Sequence, residues 1–412
     1  MAQAGFRFPV QRLFRATPLI ACAAVLLSAG AAWARGPHDT VDATGVLESG
    51  AAQSLSGTNS QLQTSAEPPG ANCPTGGTRL DVGTDLNGDG VLDATEIDPS
   101  QTRYICNGAQ GPAGSTGVFG DGSGGSFLVN TGSVLDLTTP GGYAFLGGRQ
   151  HLQFTNVSIN GTLIVPSGTV FRTTGNFTVN PAGTLIVAAS AGDNGVGPAS
   201  QGVSRAPAGE PQGGFGLTQL QSAQLVRPGA LGGGAGAKQA GVTGGSGGGS
   251  LVILAQGTVQ VLAGGTINAT GENGGTGSNL PGSGGGAGGV LVILGKTSVS
   301  VNGIVRASGG RGGDGNNTGG AGKGGGGGGG GGIIQLLSST TPSVSGTLDV
   351  SGGAPGVSAA PTAPNTTIVA GGGGGACGGN GGNGGVTGSA STAGSAGYDL
   401  RTTTPTPENL FL

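Results

Sequence analysis

The chain has 412 residues with 98 glycines and 22 prolines, yet only 8% of its residues are charged and 35% are hydrophobic. That balance excludes a solvated disordered polymer, which carries high charge and few β-branched residues, and points to a strand-rich, glycine-rich solid. A formal net charge of −3 offers no basic footprint for nucleic acid.

Residues 1–34 read as an export signal. Arg7, Arg12 and Arg15 make a positive n-region, residues 19–32 an apolar core, and Ala32-Trp33-Ala34 a small-x-small cleavage site. With these flanks the apolar stretch is too short to span a membrane, and no other stretch could. Leu19-Ile20-Ala21-Cys22 resembles a bacterial lipoprotein box but sits at the start of the apolar core, so lipid anchoring at Cys22 stands as an alternative to simple secretion. The expected location is outside the cell or on its outer surface. Cleavage would leave Cys73, Cys106 and Cys377. In an oxidising compartment two of them pair, and the odd one is buried, free or intermolecular.

Residues 35–70 are polar, lack periodicity and close on Pro68-Pro69, which predicts a disordered linker. Residues 71–107 form a cysteine-bounded module around "DLNGDGVLDATE", 85–96. A twelve-residue EF-hand loop takes oxygen ligands from positions 1, 3, 5, 7, 9 and 12, with glycine at 6 for a sharp turn. Those positions hold Asp85, Asn87, Asp89, the Val91 carbonyl, Asp93 and Glu96, with Gly90 at the turn and Leu92 as apolar anchor. A bound calcium is therefore expected, since so many like charges in one stretch are costly without a cation. The competing reading is an Asp/Asn/Gly turn that needs no metal. The flanks "TRLDVG" and "TRYICNG" read as strands rather than helices, and a Cys73–Cys106 bridge is expected to close the module.

This arrangement, Cys73-Pro-Thr-Gly-Gly through the acidic loop to Tyr-Ile-Cys106-Asn-Gly, resembles a small module of secreted bacterial proteins. There it often precedes collagen-like triplets. The same order holds here, where 108–117 has glycine at every third position. The resemblance carries no settled function with it. Residues 108–126 are too few triplets for a triple helix and are read as a linker.

From 127 to 400 the texture becomes short strands with glycine tracts between them. "GTLIV" occurs at Gly161 and again at Gly183, a spacing typical of one coil of a parallel β-helix. The phrase returns with insertions at 177–192, 259–274, 298–313 and 342–356, and the apolar runs Leu251–Leu254, Leu291–Leu294 and Ile333–Leu337 recur beside it. A single such unit cannot bury its own apolar face, whereas stacked units bury a continuous core. The predicted fold is all-β: a right-handed parallel β-helix over 127–400 with a short tail at 401–412. In texture the region resembles bacterial surface and adhesin repeats.

The glycine tracts admit two readings. One is loops ejected between coils. The other notes a period of three, as in Gly372, Gly375, Gly378, Gly381 and Gly384, which fits side-by-side strands of polyproline-II type, packed closely because no Cβ keeps them apart. Ordering so much glycine is entropically costly.

Catalysis is argued against by scarcity. Glycoside chemistry needs paired carboxylates, whereas acids are sparse after residue 120, although neighbouring turns could bring distant ones together, Asp136 and Asp193 for instance. His151 reads as structural. Gly322-Lys323 fails the phosphate-loop pattern because Gly324 follows where Ser or Thr is needed. The expected function is a secreted or surface structural and adhesive protein with a calcium-binding N-terminal module and a cell-surface or matrix polysaccharide or protein as partner; self-association stays open. The alternatives are a carbohydrate-active β-helix enzyme and an ice- or surface-binding protein.

Overall fold

The computed structural model describes residues 60–74, 76–107, 117–146, 151–189, 202–203, 211–239 and 241–412. The expected signal at 1–34 with Cys22, the linker up to 59, the triplets up to 116 and Asp193 lie outside the described residues. The chain divides into two compact units, Met1–Asn107 and Gly108–Leu412.

In the first unit, strands β1 (Ser60–Glu67), β2 (Gly77–Thr84) and β3 (Arg103–Cys106) form one antiparallel sheet with β2 in the centre. The linker expected over 35–70 is corrected here, because 60–67 pairs with β2 along its whole length, from Ser60 opposite Thr84 to Glu67 opposite Gly77. Its side chains are almost all solvent-facing, so the strand is held by backbone pairing that no hydrophobic pattern announces. Cys73 and Cys106 are joined by a disulfide, with Cα atoms 5.1 Å apart. Gly77 and Gly83 lie where chains touch: a Cβ at Gly77 would overlap the Ile105 carbonyl, and one at Gly83 the Glu96 carbonyl.

The second unit is a parallel β-helix of three six-stranded sheets. Sheet I stacks Ser126–Val129, Asn156–Ile159, Phe177–Val179, Thr258–Val261, Ser298–Val301 and Ser343–Val344. Sheet II stacks Val134–Asp136, Thr162–Val165, Thr184–Val187, Thr266–Asn268, Ile304–Arg306 and Thr347–Asp349. Sheet III stacks Gln153–Phe154, Thr169–Thr173, Ser250–Ala255, Val290–Gly295, Ile333–Ser338 and Tyr398–Thr403. The two "GTLIV" copies are neighbours in sheet II, with Leu163 opposite Leu185 and Val165 opposite Val187.

Alternation sorts the side chains. In sheets I and II every second residue points into one core containing Ile159, Leu163, Phe177, Leu185, Val261, Ile267 and Val305, and the others face outward. Sheet III differs in its three central long strands, Ser250–Ala255, Val290–Gly295 and Ile333–Ser338, which are buried on both faces. Leu251 and Ile253 join the inner core, while Val252 and Leu254 join a second apolar layer with Val118, Phe119, Cys377 and Phe411. Two-sided burial is why these strands read as near-continuous apolar runs, interrupted in Ile333–Ser338 by the buried Gln335. The last coil ends the core with charge. Asp399 and Arg401 stand opposite Ile334 and Leu336 in register and pair with each other at 3.1 Å.

The glycine tracts are ordered strands of a hydrogen-bonded bundle, inserted mainly between the sheet II and sheet III strands of a coil. Tract 324–332 shows the rule. The N–H groups of Gly326, Gly329 and Gly332 donate to Gly313, Gly310 and Ala307; those of Gly327 and Gly330 to Gly372 and Gly375; those of Gly328 and Gly331 to Thr392 and Ser395, all at 2.7–3.0 Å. Its carbonyls accept from three further tracts: from Gly282, Gly285 and Gly288, from Gly353 and Gly356, and from Gly379, Gly382 and Gly385. One strand with three residues per turn thus bonds to six neighbours, each met once per turn. Glycine is needed sterically, not for a left-handed backbone: a Cβ at Gly326, Gly328 or Gly329 would overlap the carbonyl of Ser283, Gly353 or Gly286. Backbone groups buried this deeply must all be paired, and here the pairing replaces side-chain packing.

Two boundaries move. The linker expected to 126 ends earlier, since Val118 and Phe119 are buried in the outer layer of sheet III. The tail expected at 401–412 is structured: Tyr398–Thr403 is the last sheet III strand, and the 3-10 turn Pro407–Phe411 buries Phe411 in that same layer. In each segment only one or two apolar residues supply the burial, Val118 and Phe119 in the first and Phe411 in the second, too few to stand out as a sequence pattern.

Candidate functional site

The acidic loop of the first unit is curled by Gly88 and Gly90, whose φ of 77° and 83° belong to the left-handed region that glycine occupies without strain. Leu92 is buried, as the apolar anchor position requires. Asp85 accepts from the N–H of Gly88 at 2.6 Å and of Gly90 at 2.9 Å, and Glu96 accepts from Leu86, Asn87 and Asp93 at 2.9–3.2 Å. Asn87 donates to Asp89 at 3.0 Å and Asp93 at 3.3 Å, and Asp89 accepts from the N–H of Val91. The six predicted ligand positions therefore share one exposed loop, with their oxygens turned onto its own N–H groups. Among the described residues no three His, Cys, Asp or Glu side chains converge in a metal-binding group. The donor set itself, hard oxygens only, is of the kind calcium takes.

Two of the nearby acids have other work. Asp81 is buried, paired with Arg79 at 2.9 Å and accepting from the Thr102 hydroxyl. Asp98 accepts from the Ser100 hydroxyl, the Gln101 amide and the Ser100 N–H, in that order of effect, and these hold its carboxyl below the usual range.

In the second unit the outward face of sheet II stacks Thr162, Thr184 and Thr266, then Ile304 and Thr347. The adjacent column reads Asp136, Ile164, Ile186, Asn268, Arg306 and Asp349, so the threonine column is not doubled. Acids here are tied locally. Asp136 accepts from the N–H and hydroxyl of Thr138, Asp314 pairs with Arg311, Asp349 with Arg306, Asp399 with Arg401, and Glu408 with Lys296. Arg311 is the main cause that lowers the Asp314 carboxyl pKa. His151, read from the sequence as structural, is exposed and lines a cleft together with Tyr143 and Arg172. Sequence reasoning missed that cleft because 151 and 172 meet only through coil stacking. Cys377 is free and fully buried, and burial pushes its thiol up to about 12.

Residues 59–106 match a family described as a domain of unknown function, DUF7151. The match begins beside Ser60, where β1 begins, and ends at Cys106. No curated protein matches the chain, and no solved structure does. Among the described residues no helix is long and apolar enough to cross a membrane.

Proposed function

We propose that this is an exported structural and adhesive protein, working by presenting the surface of a rigid β-helix and glycine bundle to a cell-surface or matrix polysaccharide or protein, and that it is not a catalyst. The observation that carries the reading is how the acids are spent. Among the described residues of the second unit, the carboxylates of Asp121, Asp136, Glu272, Asp314, Asp349, Asp399 and Glu408 each accept from a backbone N–H, a hydroxyl or a cation nearby, whereas glycoside cleavage uses an opposed pair of acids. A disulfide suits an oxidising compartment, and the charged pair at the last coil suits a stack whose end faces water. Binding of the purified protein to cells and to immobilised polysaccharides, run beside a hydrolysis screen, tests it. Retention without turnover is expected; cleavage of any polysaccharide, abolished by changing one acid, would overturn the reading.

The acidic loop is proposed to take calcium through Asp85, Asn87, Asp89, the Val91 carbonyl, Asp93 and Glu96. The cation would replace loop N–H groups as the partner of the carboxylates and stiffen the module, with affinity in the weak range of extracellular sites, Kd about 10⁻⁴–10⁻³ M. Calorimetry should show calcium binding at millimolar concentration that Asp85→Ala removes. Equal heats for the two proteins would contradict the site.

A further inference from the structure

The outer face of sheet III carries an arginine in a column that is otherwise apolar over its central coils. Along one column Leu254, Leu294 and Leu337 stand in register, each nearly or fully buried. The preceding coil puts Arg172 opposite Leu254. A leucine would continue that ladder, so a cation there needs a reason. Its Nε donates to the Val118 carbonyl at 3.1 Å, and among the described residues neither Arg172 nor the exposed Arg227 has an ion-pair partner. Lys296, in the same layer, does have one, in Glu408 at 2.7 Å.

Both arginines line a cleft of about 360 Å³ whose floor is Val170, Val252, Leu254 and Phe411. A second cleft of about 340 Å³ shares Gly168, Val170 and Arg172 with it and adds Tyr143 and His151. Each is of ligand-pocket size. An apolar floor with two guanidinium groups at its edge that have no ion-pair partner among the described residues complements a molecule with one anionic head and one apolar tail. Arginine matches a carboxylate bidentately, and the desolvated tail takes its energy from buried area.

We propose that this cleft binds a linear apolar carboxylate, a free fatty acid, with its head on Arg172 and Arg227 and its chain across Val170, Val252, Leu254 and Phe411. The site is independent of the adhesive reading and of the calcium loop. The probe is decanoate below its micelle concentration, titrated calorimetrically into the purified full chain. Decanol, with the same tail and no charge, and anionic phospholipid vesicles are the comparison arms. Decanoate should bind, decanol at least about tenfold more weakly, and Arg172→Leu should weaken decanoate by about tenfold or more. Because leucine fits the column, that variant should keep its melting temperature. Arg227→Gln, at an exposed position, gives the same loss without touching the sheet. The proposal is overturned if decanoate gives no heat at millimolar concentration, if decanol binds equally, if both variants bind as the parent does, or if only vesicles bind.

Discussion

The second unit holds two solids built on opposite rules. In the coils, side chains do the packing: Leu163, Leu185 and Ile267 stack inward, and the backbone pairs only with the coils on either side. In the glycine bundle the backbone does nearly everything: tract 324–332 bonds through its backbone to six neighbouring tracts, and only the Gly325 N–H donates to a side chain, the Ser358 hydroxyl. A coil core tolerates changes of side-chain shape at moderate cost. The interior glycines of the bundle, such as Gly326, Gly328 and Gly329, leave no room for a side chain, because neighbouring backbones occupy the space a Cβ would need; the few buried side chains among the tracts are small, as at Ala237 and Ser283. The coils set where each tract begins and ends, which lowers the ordering cost that makes isolated polyglycine floppy.

The sharpest way to break this contrast is to add one carbon to the bundle and remove three from the core. Gly329→Ala would drive a methyl onto the Gly286 carbonyl and should cost more than about 4 kcal/mol or prevent folding, an exceptional value for so small a change. Leu185→Ala, in the inner core, should cost about 2–5 kcal/mol. Gly141→Ala is the control. A Cβ there meets nothing within 4 Å and the site is helical, so it should be neutral or stabilising by up to about 1 kcal/mol. Denaturant titration of the three variants checks the order; a harmless Gly329→Ala would refute the close-packed bundle.

How much of this was legible follows the same divide. The coils were readable because side chains carry periodic signals: the two "GTLIV" copies lie one coil apart in sheet II, and the doubly buried strands read as apolar runs. The tracts showed their period of three but not their partners, since a glycine tract looks alike whether it is a loop or a packed strand. Strand β1 was missed for a related reason, being held by backbone pairing to β2 with its side chains in water. The loop residues 85–96 were legible as a set, whereas the cleft at Arg172 was not, because its walls come from distant coils and from the segment before the first one.

The comparison extends to the first unit, a three-stranded sheet with a small core and a covalent tie. The loop closed by Cys73–Cys106 spans a separation of 33 residues, and by loop-closure entropy Cys106→Ser should remove about 3–4 kcal/mol from this unit. Melting followed separately for the two units should show loss in Met1–Asn107 alone.

The smallest effect expected belongs to Cys377, which has no such tie. With its thiol pushed up to about 12 by burial, the folded chain should resist alkylation at pH 8 and react only on unfolding. The sign follows from linkage. A raised folded pKa favours the protonated form, so this contribution is intact below the ordinary thiol pKa of about 8.5 and is lost as pH rises from there towards about 12. Rapid labelling of native protein at pH 8 would place the thiol outside the core.

Hydrogen exchange of the tract amides decides most directly between a bundle and loops. Each N–H from Gly326 to Gly332 donates to a carbonyl of another tract and is buried, so peptides covering 326–332 should exchange as slowly as those covering the core strand Val290–Gly295. Complete exchange of 326–332 within seconds, while Val290–Gly295 stays protected, would show that the tracts are loops hung on a β-helix and would contradict the account.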